Sequence, residues 1–160
     1  MFISRTVAAL RGHAFRLARA SGKKIVEDPG MPIDHATAVG GRIAMVPPID
    51  SEETYAAALH ELGHCIAPRG HGLCREPTSL VDVGLQFHLR LEEEHNAWDW
   101  AEAAALRFGP WTAAMESVRR GALETYHVVH IDAQERAYVI KHLGRVKATE
   151  SVADFMKRRS

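Results

Sequence analysis

The sequence TYAAALHELGHCIAP, residues 54–68, decides how the rest of the chain is interpreted. Two of its histidines, His60 and His64, are four positions apart and therefore lie on one face of a helix. Such a pair can present two imidazole nitrogens to one metal ion, and Glu61 could take a proton from a water held there. The pattern is short and occurs by chance in many chains, so its surroundings have to support it.

The residues around this motif indicate that it lies on a helix. The prolines at 47–48 end a preceding run, and Asp50 or Ser51 is expected to cap the helix, with Glu53 placed for a capping box with Asp50. Pro68 and the glycines that follow it end the helix after the second histidine. The apolar residues before the histidines bury the opposite face. A metal site is therefore favoured over an incidental pair of histidines.

A third ligand is needed, because a catalytic zinc site usually keeps three protein ligands and a water. A histidine six residues beyond the second is one solution, but that position is Gly70, and His71 misses it by one. The other solution is a glutamate on a separate helix. The helix predicted from Leu89 to Gly109 offers three acids near its start: Glu92, Glu93 and Glu94.

Helical geometry ranks these three acids. Spacings of three and four residues place Glu94 on a face made otherwise of small or apolar residues, namely Ala97, Ala101, Ala104 and Phe108. A carboxylate on such a face is costly unless it is paired or bound to a metal, so Glu94 is the preferred ligand. Glu93 is the reserve, and Glu92 points more toward solvent. The alternative that all three form a solvated helix start, favoured by the helix dipole, stays open.

Composition and charge are those of an ordinary globular chain. The 160 residues fit a single domain, 1–160, that can bury a core without disulfides or structural metals. The balance of 20 basic and 20 acidic residues gives no overall attraction to nucleic acid. Only two cysteines occur, Cys65 and Cys74, which favours a reducing compartment. No stretch approaches the roughly 18 apolar residues of a membrane span. We therefore expect a cytoplasmic protein that makes no membrane contact.

Residues 1–26 form a locally cationic segment. They contain no acid before Glu27 and six basic residues: Arg5, Arg11, Arg16, Arg19, Lys23 and Lys24. Apolar residues recur at helical spacing among them, which predicts a basic amphipathic helix. The simplest interpretation is a helix packed on the domain with solvated arginines. A presequence, or a surface for an acidic partner or nucleic acid, is the alternative.

The order of elements predicts an α+β fold. Residues 33–109 would form the core around the metal site, with two short strands joined by the Gly40–Gly41 pair, whose positive φ angles suit a tight hairpin turn. The motif helix follows, and one further short strand is expected within 79–87. Residues 110–160 are predicted to be helical, with Pro110 in the first turn of a helix. The chain would thus have a small, mostly antiparallel sheet, an active-site helix and a predominantly helical C-terminal half.

Several other residues have simpler interpretations. Cys65 is expected to be a buried thiol rather than a ligand. Cys74 and His71 lie after the motif helix and could gate or ligate the metal. The tryptophans at 98, 100 and 111 are interpreted as core aromatics between helices.

The motif and its downstream helix resemble a known family. ALHELGH, followed about thirty residues later by EHNAWDWA, is similar to small bacterial and phage zincins of the gluzincin type, especially ImmA/IrrE-like metallo-endopeptidases. TYAAALHELGH also resembles the zincin-like domain of ArdC-type antirestriction proteins. The resemblance covers roughly residues 42–105. It implies a zinc-dependent endopeptidase in which His60, His64 and Glu94 hold Zn²⁺ and Glu61 is the general base.

The resemblance carries two further expectations. Arg42–Val46 would be an edge strand above the metal, to which an extended peptide adds through main-chain hydrogen bonds. A group that stabilises the oxyanion would come from a set that the sequence does not rank: His88, His95, Tyr126, His127 and His130. The target would be an intracellular protein.

This chain departs from the family at two positions. Trp98 stands where the family often has an asparagine after Glu-x-x-Ala, and Asp99 is one residue too far from Glu94 for the thermolysin-type second acid. Which group orients the ligand histidines is thus left open. Two other functions remain: a zincin-fold binding or antirestriction module that contacts nucleic acid or an acidic protein without proteolysis, and a metal-dependent hydrolase of a non-peptide substrate.

Overall fold

The structure is a computed structural model that describes residues 6–67 and 80–125. This part contains four α-helices, three strands and a short 3-10 turn at Ile33–His35. In chain order these are α1 Val7–Ala20, β1 Lys24–Glu27, β2 Thr37–Val39, β3 Ile43–Val46, α2 Glu52–Ile66, α3 Leu80–Leu106 and α4 Ala113–Thr125. The α+β class is confirmed. The predictions for His71, Cys74 and residues 126–160 lie outside the described residues.

The three strands form one sheet in the order β1-β3-β2. β3 pairs in parallel with β1 and antiparallel with β2, so the sheet is mixed and the prediction of a mostly antiparallel sheet is wrong. The prediction of Arg42–Val46 as an edge strand is also wrong, because β3 is the central strand. β3 pairs on one side with β2 and on the other with β1. The sequence did not identify β1, Lys24–Glu27, as a strand.

The predicted hairpin between β2 and β3 is confirmed. Gly40 and Gly41 both have positive φ, at 58° and 65°, a conformation that L side chains rarely adopt. The turn brings Val39 opposite Ile43 in antiparallel register. α2 packs on β3, where Ala44 and Val46 are fully buried.

The predicted basic amphipathic helix corresponds to α1, but the helix ends at Ala20. Leu10, Ala14 and Ala18 are buried on its inner face. On its outer face Arg11 forms a 2.6 Å ion pair with Glu27 at the end of β1.

Glu27 in turn accepts a hydrogen bond of 3.0 Å from the backbone N–H of Ile49, just before α2. The Arg11 guanidinium and burial act in opposite directions on Glu27, and the net effect holds the pKa of this carboxyl below its usual value. One carboxylate thus connects α1, β1 and the segment that leads into the motif helix.

The motif lies on a helix, as predicted, but the cap differs in detail. Ser51 is the N-cap, and Thr54 completes the capping box, so the predicted Asp50–Glu53 pairing is wrong. The Thr54 hydroxyl accepts hydrogen bonds from the backbone N–H groups of both Asp50 and Ser51. The helix continues to Ile66.

α3 is longer than the sequence indicated. It begins at Leu80, so the strand predicted within 79–87 is wrong, and the helix includes the acids at 92–94. Buried alanines at 97, 101, 104 and 105 make its inner surface flat. α4 begins at Ala113 rather than at Pro110, and Thr112 lies at its start, with the hydroxyl 3.4 Å from the N–H of Met115. None of the described helices is long and apolar enough to cross a membrane.

The chain divides into two compact units. One comprises Met1–Arg69 and Glu93–Ala122, and the other comprises Gly70–Glu92 and Leu123–Ser160. The sheet, α2 and the part of α3 that begins at Glu93 belong to the first unit. That a single domain spans residues 1–160 stays a prediction.

The backbones of α2 and α3 approach each other closely at Gly63. A Cβ atom built on Gly63 would lie 2.6 Å from the carbonyl oxygen of Ala97 and 3.1 Å from its Cα. Real Cβ atoms essentially never come so near another backbone atom, and backbone atoms cannot rotate away. Glycine at this position therefore sets the distance between the two helices.

Gly63→Ala is expected to lower the free energy of unfolding by about 1–3 kcal/mol, the usual cost of overpacking a core. The matched control is Gly121→Ala on α4, where an added Cβ meets nothing within 4 Å. That change should raise stability by about 0.5–1 kcal/mol, because alanine loses less conformational entropy in a helix. Denaturant unfolding followed by circular dichroism measures both. Equal stabilisation of the two variants would contradict the close approach.

Candidate metal centre

Three side chains from two helices meet beside the Gly63 contact. His60 and His64 project from successive turns of α2, with ring centroids 4.4 Å apart and planes at 71°. Glu94 of α3 lies between them, with Oε2 3.0 Å from Nε2 of His60 and Oε1 3.2 Å from Nε2 of His64. Each residue offers one ligand atom, and all three atoms lie within 4.8 Å of one another. The carboxylate thus bridges both imidazoles.

This group fits a metal ion in both spacing and donor type. With bonds of about 2.0–2.1 Å, tetrahedral ligand atoms lie about 3.3 Å apart, close to the two nitrogen–oxygen distances found here. Imidazole nitrogen and carboxylate oxygen are ligands for zinc and for several other divalent ions. The three residues could therefore hold a metal ion.

The environment of the three side chains is largely closed to water. His60 is 7% exposed, and Glu94 has a side chain that is 18% exposed. Burial raises the pKa of Glu94, but hydrogen bonds from His60 and His64 lower it more, to about 2. Burial lowers the pKa of His60, but hydrogen bonds to Glu61 and Glu94 raise it more, to about 9. A protonated His60 and an ionised Glu94 therefore stabilise each other.

Glu61 contacts the other ring nitrogen of His60, Nδ1. Its Oε1 lies 3.1 Å from Nδ1 of His60, and the residue is 7% exposed. Histidine ligands usually donate their second ring N–H to a carboxylate or a carbonyl, which fixes the ring orientation. The predicted general base therefore also holds the first predicted ligand.

The other candidates are not part of this group. Glu93 precedes Glu94 in α3 but supplies none of the three ligand atoms, and Glu92 is exposed, in line with its predicted orientation. His88 is exposed and His95 is partly buried, and neither belongs to the group. Cys65 is buried, as predicted. Tyr126, His127 and His130 lie outside the described residues.

Trp98 contacts His60, and the sequence interpretation did not assign it to the site. Its indole stacks on the imidazole of His60, with centroids 4.1 Å apart and planes within 13°. Trp98 follows Glu94 by four residues, so both side chains leave the same face of α3. That spacing is the signal available in the sequence, which predicts Trp98 only as a core aromatic.

Comparison of the chain with protein-family models, with curated proteins and with solved structures gives no match. The resemblance to zincins therefore rests on the quoted motifs.

Glu94→Gln is expected to weaken metal binding by more than about 100-fold, since even residues that only support a ligand typically contribute 10–100-fold. The amide keeps the size of the side chain and removes its charge. Glu93→Gln, on the adjacent residue, is the matched control and should leave metal binding unchanged. Metal content per chain after dialysis, together with chelator competition, measures both. Equal losses in the two variants would contradict Glu94 as the ligand.

Metal affinity should rise with pH up to about 9. Nε2 of His60 must lose its proton before it can bind a metal, and the raised pKa of His60 means that the proton competes up to that pH. Glu94, with its pKa near 2, is ionised throughout this range. Chelator competition between pH 6.5 and pH 9.5 measures the dependence. An affinity that stops rising near pH 7.5 would show that His60 titrates as an ordinary histidine.

Proposed function

We propose that the protein is a zinc-dependent endopeptidase of the gluzincin type. The observation that carries this proposal is the meeting of Glu94 with both histidines of the HELGH helix across two packed helices. Two imidazoles and one carboxylate are a ligand set of catalytic zinc in known peptidases, and three protein ligands leave a fourth position for water. A structural site would be expected to have four protein ligands.

His60, His64 and Glu94 would hold the ion. Zinc in such a site lowers the pKa of its water toward about 7, so that a nucleophile forms near neutral pH. Burial of His60 and partial burial of His64 and Glu94 support this role, because electrostatic interactions are stronger where water is excluded.

Glu61 would act as the general base. It follows His60 directly, and its carboxylate is buried against the ring. A carboxylate near the reacting water can take its proton and pass that proton to the leaving amine. In this structure the carboxylate hydrogen-bonds Nδ1 of His60, on the ring edge away from Nε2, so acting as the base would require the Glu61 side chain to turn toward the water.

The substrate would be a peptide segment of an intracellular protein. Because β3 is central, an extended peptide would have to add to an outer strand of the described sheet. β2 is the outer strand in contact with α2, and its residues Thr37 and Val39 are exposed. We therefore move the proposed docking strand from Arg42–Val46 to Thr37–Val39. A cytoplasmic location, argued from cysteine content, is part of the same proposal.

A binding or antirestriction module without proteolysis has less support. Among the described cations near the N-terminus, Arg11 pairs with Glu27, Lys23 donates to the carbonyl of Gly41, and Arg16 lies 5.7 Å from the Phe108 ring centroid. These contacts give the cations a role within the fold. A hydrolase of a non-peptide substrate is favoured by no contact in the described part of the chain.

Glu61→Gln should retain metal and lose at least about 100-fold in hydrolysis, since the amide cannot accept the proton. The amide oxygen can still accept a hydrogen bond from Nδ1 of His60, so the ligand keeps its support. Glu53→Gln, at an exposed position of the same helix, is the matched control and should keep full activity. Zinc-loaded protein is assayed on a quenched-fluorescent peptide library, with cleavage sites identified by mass spectrometry.

Each result of this experiment has a distinct meaning. Full activity in Glu61→Gln would exclude Glu61 as the base. Loss of metal from that variant would show that its carboxylate mainly supports His60. A wild-type protein that binds zinc and cleaves no peptide would refute the endopeptidase proposal and leave the metal site intact.

A further inference from the structure

Trp98 fixes one face of the His60 ring. The stacked indole, at 4.1 Å and 13°, restricts the tilt of the imidazole out of its plane. The two carboxylate contacts, to Nδ1 and Nε2, act at the edges of the same ring and restrict its rotation within the plane. Face and edges are thus held by different residues.

The contact with Trp98 is independent of metal binding. A metal that takes the lone pair of Nε2 replaces the hydrogen bond between that atom and Glu94. The Nδ1 contact with Glu61 and the stack on Trp98 can both remain. Of these two, only the stack opposes tilting, and a ligand atom has to be held within about 10–20° of its productive direction.

The position of Trp98 in α3 makes this contact part of the helix interface. Trp98 is 1% exposed, and it follows Ala97, whose carbonyl faces Gly63. It therefore lies beside the close approach of the two helices at Gly63 and has little freedom to move. The same α3 face that supplies the carboxylate of Glu94 also supplies the surface against which His60 rests.

The indole N–H gives a second observation. Nε1 of Trp98 is buried and has no hydrogen-bond partner among the described residues. A buried N–H without a partner is unfavourable, and an apolar ring at this position would avoid that cost. The contact that the structure shows for Trp98 is made by the face of its ring and not by this donor.

We infer that Trp98 is a positioning residue for the metal ligand His60 and acts through the face of its aromatic ring. Together with Glu61, which contacts Nδ1, it supplies the orientation of His60 that the resemblance left open. The inference rests on the proposed metal site and does not depend on peptide hydrolysis.

The test compares Trp98→Phe with Trp98→Leu. Both substitutions remove the N–H and leave a cavity, so both should destabilise the fold, whereas only phenylalanine keeps an aromatic face for His60. We expect Trp98→Leu to weaken zinc binding about 10-fold or more, and Trp98→Phe to stay within about 3-fold of wild type. Trp100→Leu is the matched control, because residue 100 leaves α3 on a different side, and it should bind zinc normally.

Binding is measured by chelator competition on the full chain, and Co²⁺ is the second probe. The visible absorption of Co²⁺ reports the symmetry of its ligands, so Trp98→Leu should alter the spectrum and Trp98→Phe should preserve it. A purely structural role would lower the unfolding midpoint without changing the spectrum.

Equal zinc affinity in all variants would overturn the inference and leave the metal site standing. Equal losses in the Phe and Leu variants would overturn it, because an aromatic face at residue 98 would then make no difference to zinc binding. Absence of metal binding in wild type would overturn both proposals.

Discussion

The close contact between Gly63 of α2 and Ala97 of α3 is the constraint on which the candidate site depends. Any side chain at residue 63 would push the helices apart, since the nearest atoms belong to backbone. In α2, Leu62 precedes Gly63 and His64 follows it. In α3, Glu94 lies three residues before Ala97. A short carboxylate reaches both imidazoles only because the two backbones touch here. Helix packing thus requires glycine at residue 63 of HELGH, independently of the chemistry of the histidines.

The burial of His60 and Glu94 beside this contact would be unfavourable without the polar interactions that accompany it. Burying an imidazolium or a carboxylate alone is costly, and each of these groups has an ionisable partner within hydrogen-bond distance. The opposite pKa shifts of His60 and Glu94 express this mutual stabilisation. A divalent cation in place of the proton would also put positive charge between a carboxylate and two nitrogens, with one unit of charge more. The arrangement is therefore suited to exchange a proton for a metal without rebuilding the core.

The sequence predicted those features that depend on local periodicity. Spacings of four residues placed His60 and His64 together, and the alanine face of α3 distinguished Glu94 from Glu93. The Gly40–Gly41 turn was predicted because positive φ angles are a property of glycine itself. Features that depend on distant partners were missed. β1 has only four residues, and it is a strand because it pairs with β3, which made the expected edge strand central.

Errors at element ends have a similar origin. Ser51 and Asp50 can both cap a helix. Thr54 selects Ser51 through the two hydrogen bonds of the capping box, whereas the sequence pattern indicated a capping box with glutamate. The alternating residues within 79–87 suit a strand, but in the structure residues 80–87 belong to α3. Such choices are decided by a few hydrogen bonds and by what lies next to the segment.

Under the proposed function, the two helices and the sheet have separate tasks. α2 and α3 determine where a water is activated, through residues whose spacing a single sequence reveals. Selection of the substrate would fall to the outer strand β2, which is short, partly exposed and in contact with α2. A strand edge binds a peptide mainly through its main chain, so its sequence carries little information about the partner. The catalytic chemistry is therefore written in side chains at fixed spacings, whereas recognition of the substrate would depend on the main chain of β2.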